Sequence, residues 1–186
     1  YKDVDGDGYV EDKEGKPLTI TLLAAKGSET AEAVLQQYIA WWKEVGLNVQ
    51  LLTGRTLDFQ TYAEKLQKYA DDFDMWTGGF TIGYNPSPDG LYGPKAAFNF
   101  GHFVEPKHTA LLERISSNET FDENVKKQLF LEWQQYVQEN PFAIPRFNTF
   151  ELTAVNKRVK KVNITPDKAT GWEEIELVAD KGVASK

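Results

Sequence analysis

The chain of 186 residues contains no cysteine. That absence excludes a disulfide framework, a thiolate nucleophile and any cysteine-based zinc site. It also leaves the redox compartment open. Histidine is nearly absent too: His102 and His108 are the only two, and they do not form an HExxH pair. No serine sits in a GxSxG elbow, so the usual signatures of metalloprotease and serine-hydrolase chemistry are missing. No run approaches the roughly 20 apolar residues of a membrane span, and no charged-then-apolar leader is visible. Excess positive charge is lacking as well. Lys and Arg total 21 against 28 Asp and Glu, a net charge of -7, which makes nucleic acid a poor partner. The one basic run, Asn156 to Val162, alternates Lys and Arg with Val and reads as a solvated edge strand.

What is present is enough for a folded core. The composition is 41% hydrophobic and 13% aromatic, and the length suits one domain or one lobe of a larger protein. Leu18 to Leu23 reads as a strand. Ser28 is placed to cap a helix on which Val34, Leu35, Tyr38, Trp41, Trp42 and Val45 recur at helical spacing until Gly46. Leu47, Val49 and Leu51 mark a second strand. Asp58 opens a second helix with Phe59, Tyr62, Leu66 and Tyr69 on one face, and Phe73 to Trp76 reads as a third strand. Strands separated by helices of this length join as parallel units covered by those helices, so the class is α/β.

Further on, Pro106 starts a helix carrying Leu111, Leu112 and Ile115. Asp122 caps a longer one with Val125, Leu129, Trp133 and Val137 as its buried stripe, and Asn140-Pro141 ends it. Phe142 to Val155 and Val159 to Ile164 read as extended. His102 is expected in a loop and His108 on a helix surface. Asp71, Asp72 and Asp74 surround a helix-to-strand junction and read as a solvated turn.

Two segments carry candidate chemistry. The first is Asp3-Val-Asp5-Gly-Asp7-Gly8-Tyr9-Val10-Glu11-Asp12-Lys13-Glu14, which fits the DxDxDG-x5-E loop of an EF-hand. In that pattern Asp3, Asp5, Asp7 and Glu14 supply carboxylate oxygens, Tyr9 its carbonyl, Glu11 a water-mediated contact and Gly8 the sharp turn. The helices that should flank the loop are missing, because Lys16 to Leu22 reads as a strand. A hairpin turn rich in Asp and Gly accounts for the same residues, and a cation is compatible with it because three carboxylates at one turn repel.

The second segment is Thr77 to Gly90, a Gly- and Pro-rich stretch at the carboxyl end of the third strand, where open α/β sheets place their ligand crevices. Gly79 and Gly83 expose backbone groups beside Phe80 and Tyr84. Such a surface can hydrogen-bond an extended peptide main chain while rings cover its side chains. A glycine-aromatic hairpin that only packs is the alternative.

Together these segments resemble a known family. The Asp-rich turn followed by Asp12-Lys13-Glu14-Gly15-Lys16-Pro17-Leu18 is similar to the hairpin of family 5 solute-binding proteins, the oligopeptide and dipeptide receptors of ABC importers. Phe73-Asp74-Met75-Trp76 with Gly78-Gly79-Phe80, and Gly83-Tyr84-Asn85-Pro86-Ser87-Pro88 after it, resemble that family's strand and loop. Pro141-Phe142-Ala143-Ile144-Pro145 and Val155-Asn156-Lys157-Arg158-Val159 resemble its closing elements. The resemblance implies a type II periplasmic-binding-protein-like lobe with a mixed, mostly parallel sheet. It would be a single lobe over 1–178, the carboxyl-terminal one of a two-lobed receptor, with a disordered tail over 179–186.

It implies no catalysis and no required cofactor. The implied partners are an oligopeptide ligand held in the cleft against the amino-terminal lobe of the same parent chain, and the permease subunits. The implied location is extracellular, lipid-anchored or periplasmic, with any signal upstream of Tyr1. The peptide-binding residues implied are Tyr62, Thr77, Gly79, Phe80, Thr81, Gly83, Tyr84 and Asn85, with Phe80 in place of a family tryptophan. Gly83 stands where some members carry an acidic residue for the peptide's amino terminus, so weaker end-specificity and longer peptides are expected. The cationic positions for a peptide carboxylate fall at Thr77 and near Lys68, and only Lys68 keeps the charge. Two rival readings remain: a calcium-stabilised structural module, and a family 5 receptor for a nickel chelate or an oligosaccharide.

Overall fold

The structure is a computed structural model that describes residues 1–68, 71–81, 86–148, 152–162 and 174–178. The chain divides into two compact units, Tyr1–Phe80 and Thr81–Lys186, each described by itself.

The first unit is α/β. Its central strand β1 (Thr19–Ala24) lies between β2 (Asn48–Leu51) and β3 (Met75–Thr77), and both pairings are parallel. Thr19 aligns with Asn48 on one side and Leu22 with Met75 on the other. A parallel central strand is covered on both faces, which is why Leu22, Leu23 and Ala24 are all buried in succession rather than alternately. The third strand starts two residues later than the sequence implies. Asp74 instead closes the junction: its amide donates to the Thr21 carbonyl at 2.9 Å, and its Oδ2 accepts from the Thr21 amide at 2.7 Å.

Helix α1 (Glu29–Glu44) forms where Ser28 caps it, its Oγ accepting from the Ala31 amide at 3.2 Å, with Glu29 and Glu32 in the first turn and Lys43 in the last. Leu35, Ile39 and Trp42 pack with Leu22, Ala24 and Val49 in the core. The expected stripe is broader than the one that packs. Trp41 and Val45 are exposed because they lie off the i, i+4, i+7 face that meets the sheet. Gly46 ends the helix at φ +83°, and a Cβ there would come within 2.9 Å of Val10 Cγ1. Helix α2 (Phe59–Gln67) is capped by Asp58, which accepts from the Thr61 amide and hydroxyl. Tyr62 and Leu66 are its buried residues, whereas Phe59, at its first position, is 73% exposed.

The second unit is mainly helical: α3 (Asp89–Tyr92), α4 (Pro106–Ile115), a 3-10 turn (Asn118–Phe121) and α5 (Glu123–Glu139). Asp122 caps α5 as expected, accepting from the amides of Asn124 and Val125. On α5 the fully buried residues are Leu129 and Tyr136; Trp133 and Val137 are half-buried. Buried Asn99 ties the loop between α3 and α4, with Nδ2 donating to the carbonyls of Gly93 and Phe103 and Oδ1 accepting from the Phe103 amide. Among the described residues, the extended reading of the closing segments is met by strand at β4 (Val159–Lys160), which pairs antiparallel with β5 (Glu176–Leu177); residues 149–151 and 163–164 of those segments lie outside the described residues. The 179–186 tail lies outside the described residues.

The surface expectation for His108 is corrected. His108 is 1% exposed, because α4 turns His108, Leu111, Leu112 and Ile115 inward together at i, i+3, i+4 and i+7. Its ring is flanked by Phe103, Tyr136 and Phe142, and Nε2 accepts the Trp133 indole N–H at 3.1 Å. Burial lowers the pKa of His108, opposed by the nearby Glu105 carboxylate. Glu105 caps α4, accepting from the His108 amide at 3.0 Å and from the Tyr136 hydroxyl at 2.8 Å. Those two bonds lower its own pKa, the Tyr136 bond most.

Candidate ligand-binding site at the sheet's carboxyl end

The carboxyl ends of β1 and β3 lie side by side, with Ala24 paired to Thr77. The loops that leave this edge of the sheet are tied together. The Leu57 amide donates to the Ala24 carbonyl at 2.9 Å, and the Lys26 amide donates to the Leu57 carbonyl at 2.6 Å. Glu32, one turn into α1, accepts from the Gly27 amide at 2.9 Å and from the Thr56 hydroxyl at 3.1 Å, joining the loop after β1 to the loop after β2. Backbone at such an edge leaves the sheet with its polar groups available, which suits ligand recognition.

Tyr62 braces the end of β3 from beneath. It is 6% exposed, and its hydroxyl donates to the Thr77 carbonyl at 3.0 Å. Burial pushes the Tyr62 hydroxyl pKa up to about 12, so it stays a donor at any working pH. Tyr62 therefore orients Thr77 rather than offering its own ring face. Next comes a tight place: a Cβ at Gly78 would lie 2.8 Å from Trp76 Cζ3 and 2.9 Å from the Tyr62 hydroxyl. Only glycine fits between these two side chains without displacement.

Beyond this collar the chain opens out. Gly79 has nothing within 4 Å of a built Cβ, and Gly79, Phe80 and Thr81 are exposed. Phe80 meets Trp76 edge-on, with ring centroids 6.3 Å apart. The sheet's edge thus ends in a solvent-exposed run, Gly79 to Thr81, beside a Trp76–Phe80 aromatic pair. Thr81 opens the second unit, and Gly83, Tyr84 and Asn85 lie outside the described residues. Lys68 is an exposed cation 3.7 Å from Glu64. Trp76 and Gly78 lie outside the contact set that the sequence implies. The signal available was an aromatic two residues before a glycine on a strand end, which marks a close approach.

At the other end of this unit, the Asp-rich segment is a turn with Gly6 and Gly8 at positive φ. Asp3 accepts from the amides of Gly6 and Gly8, Asp5 from that of Asp7, and Asp7 from that of Tyr9. Among the described residues, the acidic group close enough to share one ion is Asp3, Asp5 and Glu11, with one carboxylate oxygen from each lying within 4.8 Å of the others. Asp7 and Glu14 are not in that group. Glu14 sits in the next turn, its amide donating to Asp12 Oδ1 at 2.9 Å.

The parallel sheet, its flanking helices and the ligand-accessible carboxyl edge define a type II periplasmic-binding-protein-like fold. No family model matches the chain. A curated relative, the oligopeptide-binding protein OppA of Lactococcus lactis subsp. lactis (strain IL1403), is 31% identical over 176 residues, 94% of this chain and 29% of its own length. The solved lactococcal OppA, complexed with an endogenous peptide in the closed conformation, superposes with a TM-score of 0.79 at 30% identity, covering 91% of this chain and 32% of that one. A periplasmic oligopeptide-binding protein from Thermotoga maritima, solved with mannohexaose bound, gives 0.66 at 26% identity, over 78% of this chain and 28% of that one. Over nearly its whole length the chain is thus similar to oligopeptide-binding proteins, and it spans less than a third of the length of these relatives.

Proposed function

We propose that the chain is the carboxyl-terminal lobe, over 1–178, of a two-lobed receptor that binds extended oligopeptides and delivers them to the permease of an ABC importer. The observation that carries this reading is the exposed Gly79-Phe80 segment at the sheet's carboxyl edge, next to the Tyr62–Thr77 bond and the Trp76–Phe80 ring pair, in a chain alignable over 94% of its length with a protein named for oligopeptide binding. An exposed strand-end backbone offers hydrogen bonds to any peptide main chain, and aromatic side chains cover the ligand's own side chains without demanding a sequence. The ligand contacts we assign are Thr77, Gly79, Phe80 and Thr81, with Gly83, Tyr84 and Asn85 continuing along the loop. Tyr62 positions Thr77.

In this reading the protein performs no reaction and binding needs no cofactor. A calcium ion at the first hairpin would be structural. The ligand is buried between this lobe and an amino-terminal lobe of the same parent chain, and hinge closure of the two traps it. The receptor works outside the membrane that houses the permease, as a lipid-anchored or periplasmic protein. That no helix among the described residues is long and apolar enough to cross a membrane is compatible with this.

The test is mass spectrometry of what the intact two-lobed protein releases on denaturation. Peptides of several residues are expected. Release of oligosaccharide in their place would support a second reading, which the mannohexaose-bound relative at 26% identity favours.

A further inference from the structure

We propose that the first hairpin binds one calcium ion through Asp3, Asp5 and Glu11, with Glu11 rather than Glu14 as the anchoring carboxylate. Glu11 is 2% exposed, although it is ionisable. Its Oε2 accepts from the Val4 amide at 2.8 Å, but Oε1 is buried with no hydrogen-bond partner among the described residues. A buried carboxylate oxygen without a partner is strongly disfavoured unless a cation compensates it. Asp3 and Asp5 face the same point, each offering an oxygen within 4.8 Å of the others and of Glu11. Ligand oxygens on opposite sides of a calcium ion stand about 4.8 Å apart, twice the usual calcium–oxygen distance of roughly 2.4 Å.

The loop is already shaped for this. Asp3 is held by the amides of Gly6 at 2.7 Å and Gly8 at 3.1 Å, so its carboxylate is fixed in place while keeping lone pairs to give. Asp5 is held likewise by the Asp7 amide at 3.0 Å. The backbone of Glu11 is fixed from two sides, paired with Lys2 and with Pro17. An all-oxygen, carboxylate-rich set selects a hard cation over zinc or copper. The EF-hand spacing fails to identify the anchor because the chain turns at Asp12–Lys16, which carries Glu14 into a separate turn.

Such an ion would fasten the hairpin to the α/β unit. The Val10 amide donates to the Gly46 carbonyl at the end of α1, and the Leu18 amide to the Val10 carbonyl just before β1. Val10, the residue before the ligand Glu11, is thus bonded to the end of the helix and to the approach to the sheet that the ion would stabilise. The proposal is independent of the peptide reading.

The experiment is calcium titration of the full chain after chelator treatment, by calorimetry and by thermal melting, with CaCl2 as the probe up to about 5 mM, several times the ~10⁻⁴–10⁻³ M affinities typical of extracellular modules. One ion should bind, and the melting temperature should rise by about 2–5 °C. Glu11→Gln should weaken calcium affinity at least ~10-fold and lose the rise. In chelator, however, it should melt no lower than the parent, because an amide buries more cheaply than an unpaired carboxylate. Glu14→Gln should bind within about twofold of the parent. Should Glu11→Gln not fold, Asp5→Asn carries the same affinity prediction. The proposal is overturned by the absence of any calcium effect on the parent, by Glu14→Gln abolishing binding while Glu11→Gln keeps it, or by Glu11→Gln lowering the melting temperature equally with and without calcium.

Discussion

Gly78→Ala is a sharp probe of the collar beneath the candidate site. Gly78 does not use a left-handed backbone, so alanine meets no conformational barrier there, and the cost is steric alone. The new methyl would stand 2.8 Å from Trp76 Cζ3 and 2.9 Å from the Tyr62 hydroxyl, both inside any real contact distance for a Cβ. Neither neighbour yields freely: Tyr62 is buried and bonded to the Thr77 carbonyl at 3.0 Å, and Trp76 is half-buried against Phe80. Overpacking of this kind costs about 1–3 kcal/mol, offset by roughly 0.4–1 kcal/mol from the stiffer unfolded chain. A net loss of ~1–2 kcal/mol is expected.

Tyr62→Phe removes the bond to Thr77 and should cost ~1 kcal/mol by itself. It also removes one of the two clashing atoms. In that background Gly78→Ala should therefore cost ~0.5–1 kcal/mol less than in the parent, a coupling that a double-mutant cycle resolves. Urea unfolding followed by far-ultraviolet circular dichroism and tryptophan fluorescence supplies the four free energies. Equal stability of Gly78→Ala and parent, or strict additivity of the pair, would refute the geometry.

Other consequences follow from the same structure. Leu112→Ala, at a residue 1% exposed on α4, should cost the second unit about 2–5 kcal/mol in urea unfolding, while an exposed position such as Val45→Ala should change stability by less than ~0.5 kcal/mol. Burial holds His108 below its ordinary pKa, so on acidification the unfolded chain takes up a proton that the folded one resists. Its contribution is complete above about pH 6.5 and drains away as the pH falls below that value. Glu105, whose pKa is lowered, adds a loss that sets in only below the ordinary carboxylate value. His108→Gln should flatten the urea midpoint between pH 7.5 and 5.5, and an unchanged slope would contradict the assignment.

The parts of the fold legible in the sequence were those decided locally. Ser28, Asp58 and Asp122 each accept bonds from amides two or three residues ahead, so capping and the helices they open could be read from adjacent residues. The parallel order followed from strand and helix lengths. What escaped depends on partners distant in the chain. The burial of Glu11 is set by its pairing with Lys2 and Pro17, and the role of Tyr62 by a carbonyl fifteen residues on. His108 is a different case, since Leu111, Leu112 and Ile115 mark the buried face and histidine's polarity masked its place on it. Trp41 and Val45 show the reverse, apolar residues of a helical run lying off the face that packs.

The central claim is that the exposed glycine-aromatic edge after β3 holds a peptide. Calorimetric titration of the intact two-lobed protein, stripped of ligand and challenged with a mixed library of peptides of about five to ten residues, tests it most directly. Saturable heat is predicted for the parent, with affinity reduced about 10-fold or more by Phe80→Ala, as for loss of an aromatic anchor. Absence of heat from the parent, or full affinity in Phe80→Ala, would contradict it.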